Sequence, residues 1–202
     1  MKINDAVERI DGVVANCYSL KIGDVTVLVD SGTRSGGKKI IDYYERSGGK
    51  PDVVVITHHH ADHIGGLSEI VERFHPKVYV PDLELKIVSG EEKPPAPKSF
   101  IGRIIARSLK FNPVKAIVPA SKLDVPGIEV MATPGHTIGS TSYILDDFKL
   151  IFSGDAAVES GGKLVINKTF TYEINGAERS LETIASMKGH TVLPGHGNPV
   201  KI

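Results

Sequence analysis

A mixed α/β (α+β) fold follows from the sequence on three observations. Short runs of β-branched residues, such as Val53-Val54-Val55-Ile56, have the composition of buried strands. Between such runs lie segments with apolar residues at helical spacing, of which Leu67, Ile70, Val71 and Phe74 form the clearest. Finally, apolar strands stop at glycine turns that present His136, Asp155 and His196. One such turn would mean little; the repetition points to a site assembled at strand ends.

The stretch Thr57-His58-His59-His60-Ala61-Asp62-His63-Ile64-Gly65-Gly66 organises the chain. It follows the strand at residues 53–56, so that strand delivers a cluster of imidazoles and a carboxylate to one edge of a sheet. Neutral imidazole is the commonest nitrogen ligand of zinc-like metals, and carboxylate supplies the oxygen ligand. Alternation in an extended segment sends His58 and His60 to one side and His59 to the other. His59 is therefore expected to face solvent or to support the site from behind. Asp62 and His63 follow at the turn, where Gly65-Gly66 is expected to bend the backbone tightly into the next helix. Ligands leaving in two directions suit two metal ions a few ångströms apart. The plainer reading, an expression tag, is contradicted by the internal position and the strand before it.

The remaining elements are expected in order. Strands at residues 13–20 and Val25–Val29 flank a turn at Gly23-Asp24. Asp30-Ser31-Gly32 ends the second strand, either as a simple turn or with Asp30 holding a metal-bound histidine in its tautomer. Ile40, Ile41 and Tyr44 mark a helix at 38–46, stopped by Ser47-Gly48-Gly49-Lys50-Pro51. The helix Leu67–Phe74 closes at His75-Pro76, with His75 capping it, and the strand Lys77–Val80 follows. Residues 89–97 read as a proline-rich connector. Beyond it Phe100, Ile101, Ile104, Ile105 and Leu109 share one helical face beside Arg103, Arg107 and Lys110. This inserted element, at about 89–112, is expected to be a lid, a subunit contact or core. In the second half, strands are expected at 128–132, 142–145, 149–152 and 191–193, and a helix at 178–187. His190 reads as structural.

Composition narrows the function. The 202 residues suit one domain, and 41% hydrophobic with 24% charged residues is ordinary for a globular protein. Lys plus Arg and Asp plus Glu balance at 24 each, so no overall field attracts nucleic acid. A lone cysteine, Cys17, excludes an internal disulfide and reads as a packed thiol. Neither a signal peptide nor a membrane span is apparent, so a cytoplasmic protein without membrane partners is expected. The oligomeric state stays open, a homodimer among the options.

Together these motifs resemble the metallo-β-lactamase superfamily of hydrolases. His58-x-His60-x-Asp62-His63 is similar to its signature loop, and His136 in Thr-Pro-Gly-His-Thr to its next motif. Asp155 in Ser-Gly-Asp, His196 in Pro-Gly-His-Gly and Asp30 in Val-Asp-Ser-Gly complete an ordered set spanning roughly residues 13 to 200. The resemblance implies a four-layer αββα sandwich with the metal site at one edge between two sheets. It implies His58, His60 and His136 around one metal, Asp62, His63 and His196 around a second, and Asp155 bridging them. The cofactors would be two divalent ions, zinc first, with iron or manganese as alternatives. The activity implied is hydrolysis of a small ester, thioester or lactone by a metal-bridging hydroxide, with Asp62 orienting it and passing a proton to the leaving group. By size and by its Thr-Pro-Gly-His-Thr-Ile-Gly-Ser run the chain looks most like short glyoxalase II-like members. A C-terminal glutathione-binding helical domain is not expected. The alternatives are an iron-dependent persulfide oxygenase, a phosphodiesterase or β-lactam hydrolase of the same superfamily, or a metal-binding partner protein without turnover.

Overall fold

The computed structural model describes residues 1–95, 102–103 and 110–202. The first sheet is built from β1 (Val7–Ile10), β2 (Cys17–Ile22), β3 (Val25–Val29), β4 (Val53–Val55), β5 (Lys77–Val80) and β6 (Ile117–Pro119), in that spatial order. Its first three strands run antiparallel, and β3 to β6 run parallel. The second sheet comprises β7 (Glu129–Ala132), β8 (Thr141–Leu145), β9 (Leu150–Gly154), β12 (Thr191–Pro194) and β13 (Val200–Lys201), ordered β13-β12-β9-β8-β7. A separate hairpin pairs β10 (Val158–Ser160) with β11 (Lys163–Val165).

Alternation along the strands divides the core into layers. Val27, Val29, Val53, Val55 and Tyr79 pack against Tyr143, Leu145, Leu150, Phe152 and Leu193 between the sheets. Leu28, Val54 and Val78 point the other way, towards Ile40 and Tyr44 of α1 (Arg34–Ser47), Ile64 of α2 (Ala61–Ile64) and Leu67 and Ile70 of α3 (Leu67–Phe74). On the far side Ile144, Ile151 and Val192 meet Ile184 of α5 (Ile174–Ser186), while the short α4 (Leu85–Val88) follows β5. Helix, sheet, sheet, helix is the expected four-layer αββα order.

Several boundaries differ from the sequence reading for identifiable reasons. The helix α1 starts at Arg34, because Thr33 caps it by accepting the Gly36 N–H at 3.2 Å. Gly36-Gly37 disguised that first turn, since glycine is a poor helix former. Likewise α5 starts at Ile174, with the Glu173 carboxylate accepting the Asn175 N–H at 2.9 Å. Residues 13–16 form a loop rather than the start of a strand, and β2 begins at Cys17. The strands β1, β6, β10, β11 and β13 are short pieces that the hydrophobic pattern did not reveal. The amphipathic helix expected at 99–111 lies almost wholly outside the described residues.

Gly65-Gly66 is not the tight bend expected. Both residues have ordinary negative φ, −62° and −90°. Their role is close approach: a Cβ on Gly66 would lie 2.5 Å from both Gly37 Cα and the Ser31 carbonyl, so α1 and α3 touch backbone to backbone there. Gly66→Ala is therefore expected to destabilise the fold by about 1–3 kcal/mol, the usual overpacking cost, read as a lower urea midpoint.

Candidate metal centre

Parallel pairing places the site. Val29 pairs with Val55, so Asp30 and Thr57 leave neighbouring strand ends side by side. In the other sheet Pro194 pairs with Gly154, which sets Asp155 beside Gly195 and His196. The carboxyl ends of both parallel pairs open at the same edge. Cross-links between the sheets hold that edge: Thr141 N–H donates to the Thr57 carbonyl at 2.9 Å, and Tyr143 Oη to the Ile56 carbonyl at 2.8 Å. The Tyr18 hydroxyl and the Asn16 side chain bind the Pro194 carbonyl at 2.8 and 2.9 Å. Gly195 must be glycine, since a Cβ there would lie 2.4 Å from Asp155 Oδ1.

Every site residue expected from the sequence converges here. His58, His60 and His136 form one group, His58, His63 and Asp155 a second, and Asp62, His63 and His196 a third, with the ligand atoms of each group within 4.8 Å of one another. The His136 Nε2 and His60 Nδ1 atoms lie 2.9 Å apart. Asp155 sits between the halves, with Oδ1 3.4 Å from His63 Nε2 and Oδ2 3.5 Å from His136 Nε2 and 3.6 Å from His196 Nε2. His58, His63, His136 and Asp155 are buried, whereas His60, Asp62 and His196 are half-buried and form the rim.

The donor set fits metal ions. His58 Nε2, His63 Nε2 and Asp155 Oδ1, the ligand atoms of one group, are buried without a hydrogen-bond partner among the described residues. Buried polar atoms left unpaired are costly, and such a cluster of them is a cavity waiting for a cation.

Asp30 decides which nitrogens are free. Its Oδ1 accepts the Thr57 N–H at 2.8 Å, and its Oδ2 lies 2.8 Å from Thr57 Oγ1 and 2.7 Å from His63 Nδ1. Only His63 Nδ1–H can donate to a carboxylate, so Nε2 is the nitrogen whose lone pair faces the site once the ring gives up its second proton. Having given its proton to Asp30, Thr57 Oγ1 accepts from His58 Nδ1 at 3.0 Å, and His58 Nε2 is left free too. Of the two readings of Asp30, the carboxylate that sets histidine tautomers is the correct one.

Charge differs across the site. Burial, then the neighbouring imidazoles, lowers the His58 pKa well below the ordinary value; His60 shifts the same way, and burial also lowers His136. Burial opposes charge on His63 as well, but Asp30, Asp155 and Asp62 outweigh it and raise the pKa well above normal. His196 is raised in the same manner, chiefly by its hydrogen bond to Asp62. Asp62, despite burial, is drawn down to about 2 by His63 and His196.

A model of the metallo-beta-lactamase superfamily matches residues 10–196. The chain belongs to that superfamily. It is similar to the "Probable metallo-hydrolase YqgX" of Bacillus subtilis, 31% identical over 92% of this chain and 86% of that one. A hydroxyacylglutathione hydrolase of Nitrobacter hamburgensis is 29% identical over 73% of this chain and 49% of that enzyme. Among solved structures, TTHA1623 in a di-iron-bound form superposes with a TM-score of 0.76 at 24% identity, covering 96% of this chain and 93% of that one. That last likeness establishes the fold. The chain is thus a metallo-hydrolase of this superfamily with a metal-binding His/Asp cluster.

Other residues sort more simply. His59 is buried, 4% exposed, so the solvent alternative was wrong; its Nδ1 lies 3.0 Å from Oε2 of Glu84. Glu84, fully buried, escaped the sequence reading because it follows Val80-Pro81 without a glycine turn; a carboxylate just past a parallel strand end was the available signal. His75 caps α3 with φ 54°, its N–H donating to the Val71 carbonyl at 3.0 Å. His190 binds Asp146 and the Met187 carbonyl on the far side, a structural role. Cys17 is packed, and burial pushes its thiol pKa well up. No helix among the described residues is long and apolar enough to cross a membrane.

Two outcomes test this geometry. Asp30→Asn should weaken metal binding about 10- to 100-fold, measured against a competing chelator, because two histidines lose their fixed tautomers. In the metal-free protein at pH 7, nitrogen NMR should show His58, His60 and His136 neutral and His63 protonated. Since the His63 and His196 pKa values are raised, ions must displace protons there. Affinity on that side should rise with pH through neutrality while the three-histidine side changes little.

Proposed function

We propose that the protein is a two-metal hydrolase that cleaves a small ester, thioester or lactone with water as direct nucleophile. The observation that carries this reading is the meeting of buried, unpartnered ligand atoms from His58, His63 and Asp155 at one sheet edge, with His60, Asp62, His136 and His196 around them. His58, His60 and His136 would hold one ion, Asp62, His63 and His196 the other, and Asp155 would reach both. The complete second group supports two ions over the single-iron persulfide oxygenase. When bound, such ions polarise a carbonyl and lower the pKa of water from 15.7 towards about 7.

The chain's own residues supply the rest. Asp62, on the rim and ionised, accepts the proton of the attacking water and returns it to the departing oxygen or sulfur. The floor of the site, His58, His63 and Asp155, is too buried to meet substrate and serves to fix ligand geometry. The one thiol, Cys17, is buried in the core with a raised pKa and cannot act as nucleophile. An acyl substrate is supported by the likeness to a hydroxyacylglutathione hydrolase, and iron as an alternative to zinc by the di-iron form of TTHA1623. The partner is then a small molecule, with neither nucleic acid nor membrane required.

Elemental analysis should find close to two ions per chain, and His196→Ala should empty one site preferentially. On a panel of lactoyl-thioester, lactone, β-lactam and phosphodiester substrates, the first two should turn over fastest. Asp62→Asn should lower kcat by about 10²- to 10⁴-fold, and Cys17→Ala should leave it near wild type. One iron per chain with full activity, or a trapped acyl-enzyme, would overturn the proposal.

A further inference from the structure

Glu84 places a carboxyl group in a fully buried position, and no part of the chemistry above uses it. It follows β5 in a 3-10 turn (Asp82–Glu84), on a different element from any of the clustered ligands. Its Oε1 accepts hydrogen bonds from the Thr137 hydroxyl and from the Gly139 N–H, the latter at 3.0 Å. Its Oε2 lies 3.0 Å from His59 Nδ1. Gly139 makes room for the carboxylate, since a Cβ there would lie 2.6 Å from Glu84 Cγ.

These contacts have a pattern. His59 stands between His58 and His60, and Thr137 directly follows His136. One carboxylate therefore grips both segments that supply the three-histidine group. It touches nothing in α2 or in the turn after β12 that carry Asp62, His63 and His196. Anchoring His59 on the side opposite its neighbours forces His58 and His60 to share the other side. Tying Thr137 to the same carboxylate sets how closely His136 approaches His60. We infer that Glu84 is a positioning residue that fixes the spacing of His58, His60 and His136, and so tunes metal binding on that half of the site alone. This deepens the proposed function and rests on it.

The test is cobalt(II) titration of the metal-depleted full chain, followed by visible absorption, for wild type, Glu84→Gln and Thr137→Val. Glutamine keeps an oxygen acceptor for Thr137 and Gly139 but replaces the oxygen facing His59 with an amide nitrogen; valine removes one donor while keeping side-chain volume. Each variant should bind cobalt about 10- to 100-fold more weakly at one site, with an altered ligand-field spectrum for that ion. The affinity and spectrum of the other ion should be unchanged, and His63→Ala should remove the unaffected signal. A merely structural role would lower the melting temperature while leaving both affinities and both spectra as in wild type, and that result overturns the inference alone. Equal weakening of both sites also overturns it. If wild-type protein binds no cobalt, the two-metal reading fails first and the inference falls with it.

Discussion

Asp30 leaves β3 with φ 57°, a left-handed conformation that costs any non-glycine residue about 1 kcal/mol or more. Its carboxylate accepts from the Thr57 amide and hydroxyl and from the His63 ring, all inside the protein. The strained backbone is what turns the side chain across the end of β4 rather than along the strand. From that one group the order of the site propagates. Thr57 passes the constraint to His58, and the Ser31 N–H and hydroxyl hold the His63 carbonyl at 2.7 and 2.8 Å. Removing Asp30 would leave the ligands present but undirected.

The same edge explains why two sheets are needed. A single parallel pair ends in two loops, too few to bring this set of histidines and aspartates together. Here β3 and β4 contribute Asp30 and the histidine loop, while β9 and β12 contribute Asp155 and His196. The β7–β8 turn adds His136. Because the sheets are clamped by Thr141, Tyr143 and Tyr18, ligands from distant parts of the chain are held at one edge.

Much of this was legible in the sequence, and what was not has physical causes. Histidines and aspartates at strand ends stand out because such residues seldom serve a core, so His58, His60, Asp62, His63, His136, Asp155 and His196 were all visible. Asp30 was visible as a choice between two roles, which only the distance to His63 decides. Glu84 was hidden because an acid in Asp82-Leu83-Glu84 looks like a solvated turn; its burial comes from Thr137 and Gly139, more than fifty residues on. The glycines at 36, 37 and 66 misled in the same way. Local propensity reads them as breaks or bends, whereas the crossing of α1 and α3 requires the missing side chains of Gly37 and Gly66. The strand β1 was lost because only four residues pair, with the half-exposed Glu8 and Arg9 inside them.

The site also shows a gradient that links charge to access. Its three-histidine side is neutral by burial, and its Asp62–His63–His196 side is a cluster of opposed charges. The pairing of Asp62 with His196 at 3.2 Å lies on the rim, where water screens it and rearrangement is cheap. The contact between Asp30 and His63 lies on the floor, where breaking it would strand a buried carboxylate. Geometry is therefore fixed from below and adjustable from above. Under the proposed mechanism, a carboxylate that changes partners during turnover can do so at the rim without loosening the histidines beneath it, which is the reason for assigning the proton transfer there to Asp62 rather than to Asp30 or Asp155.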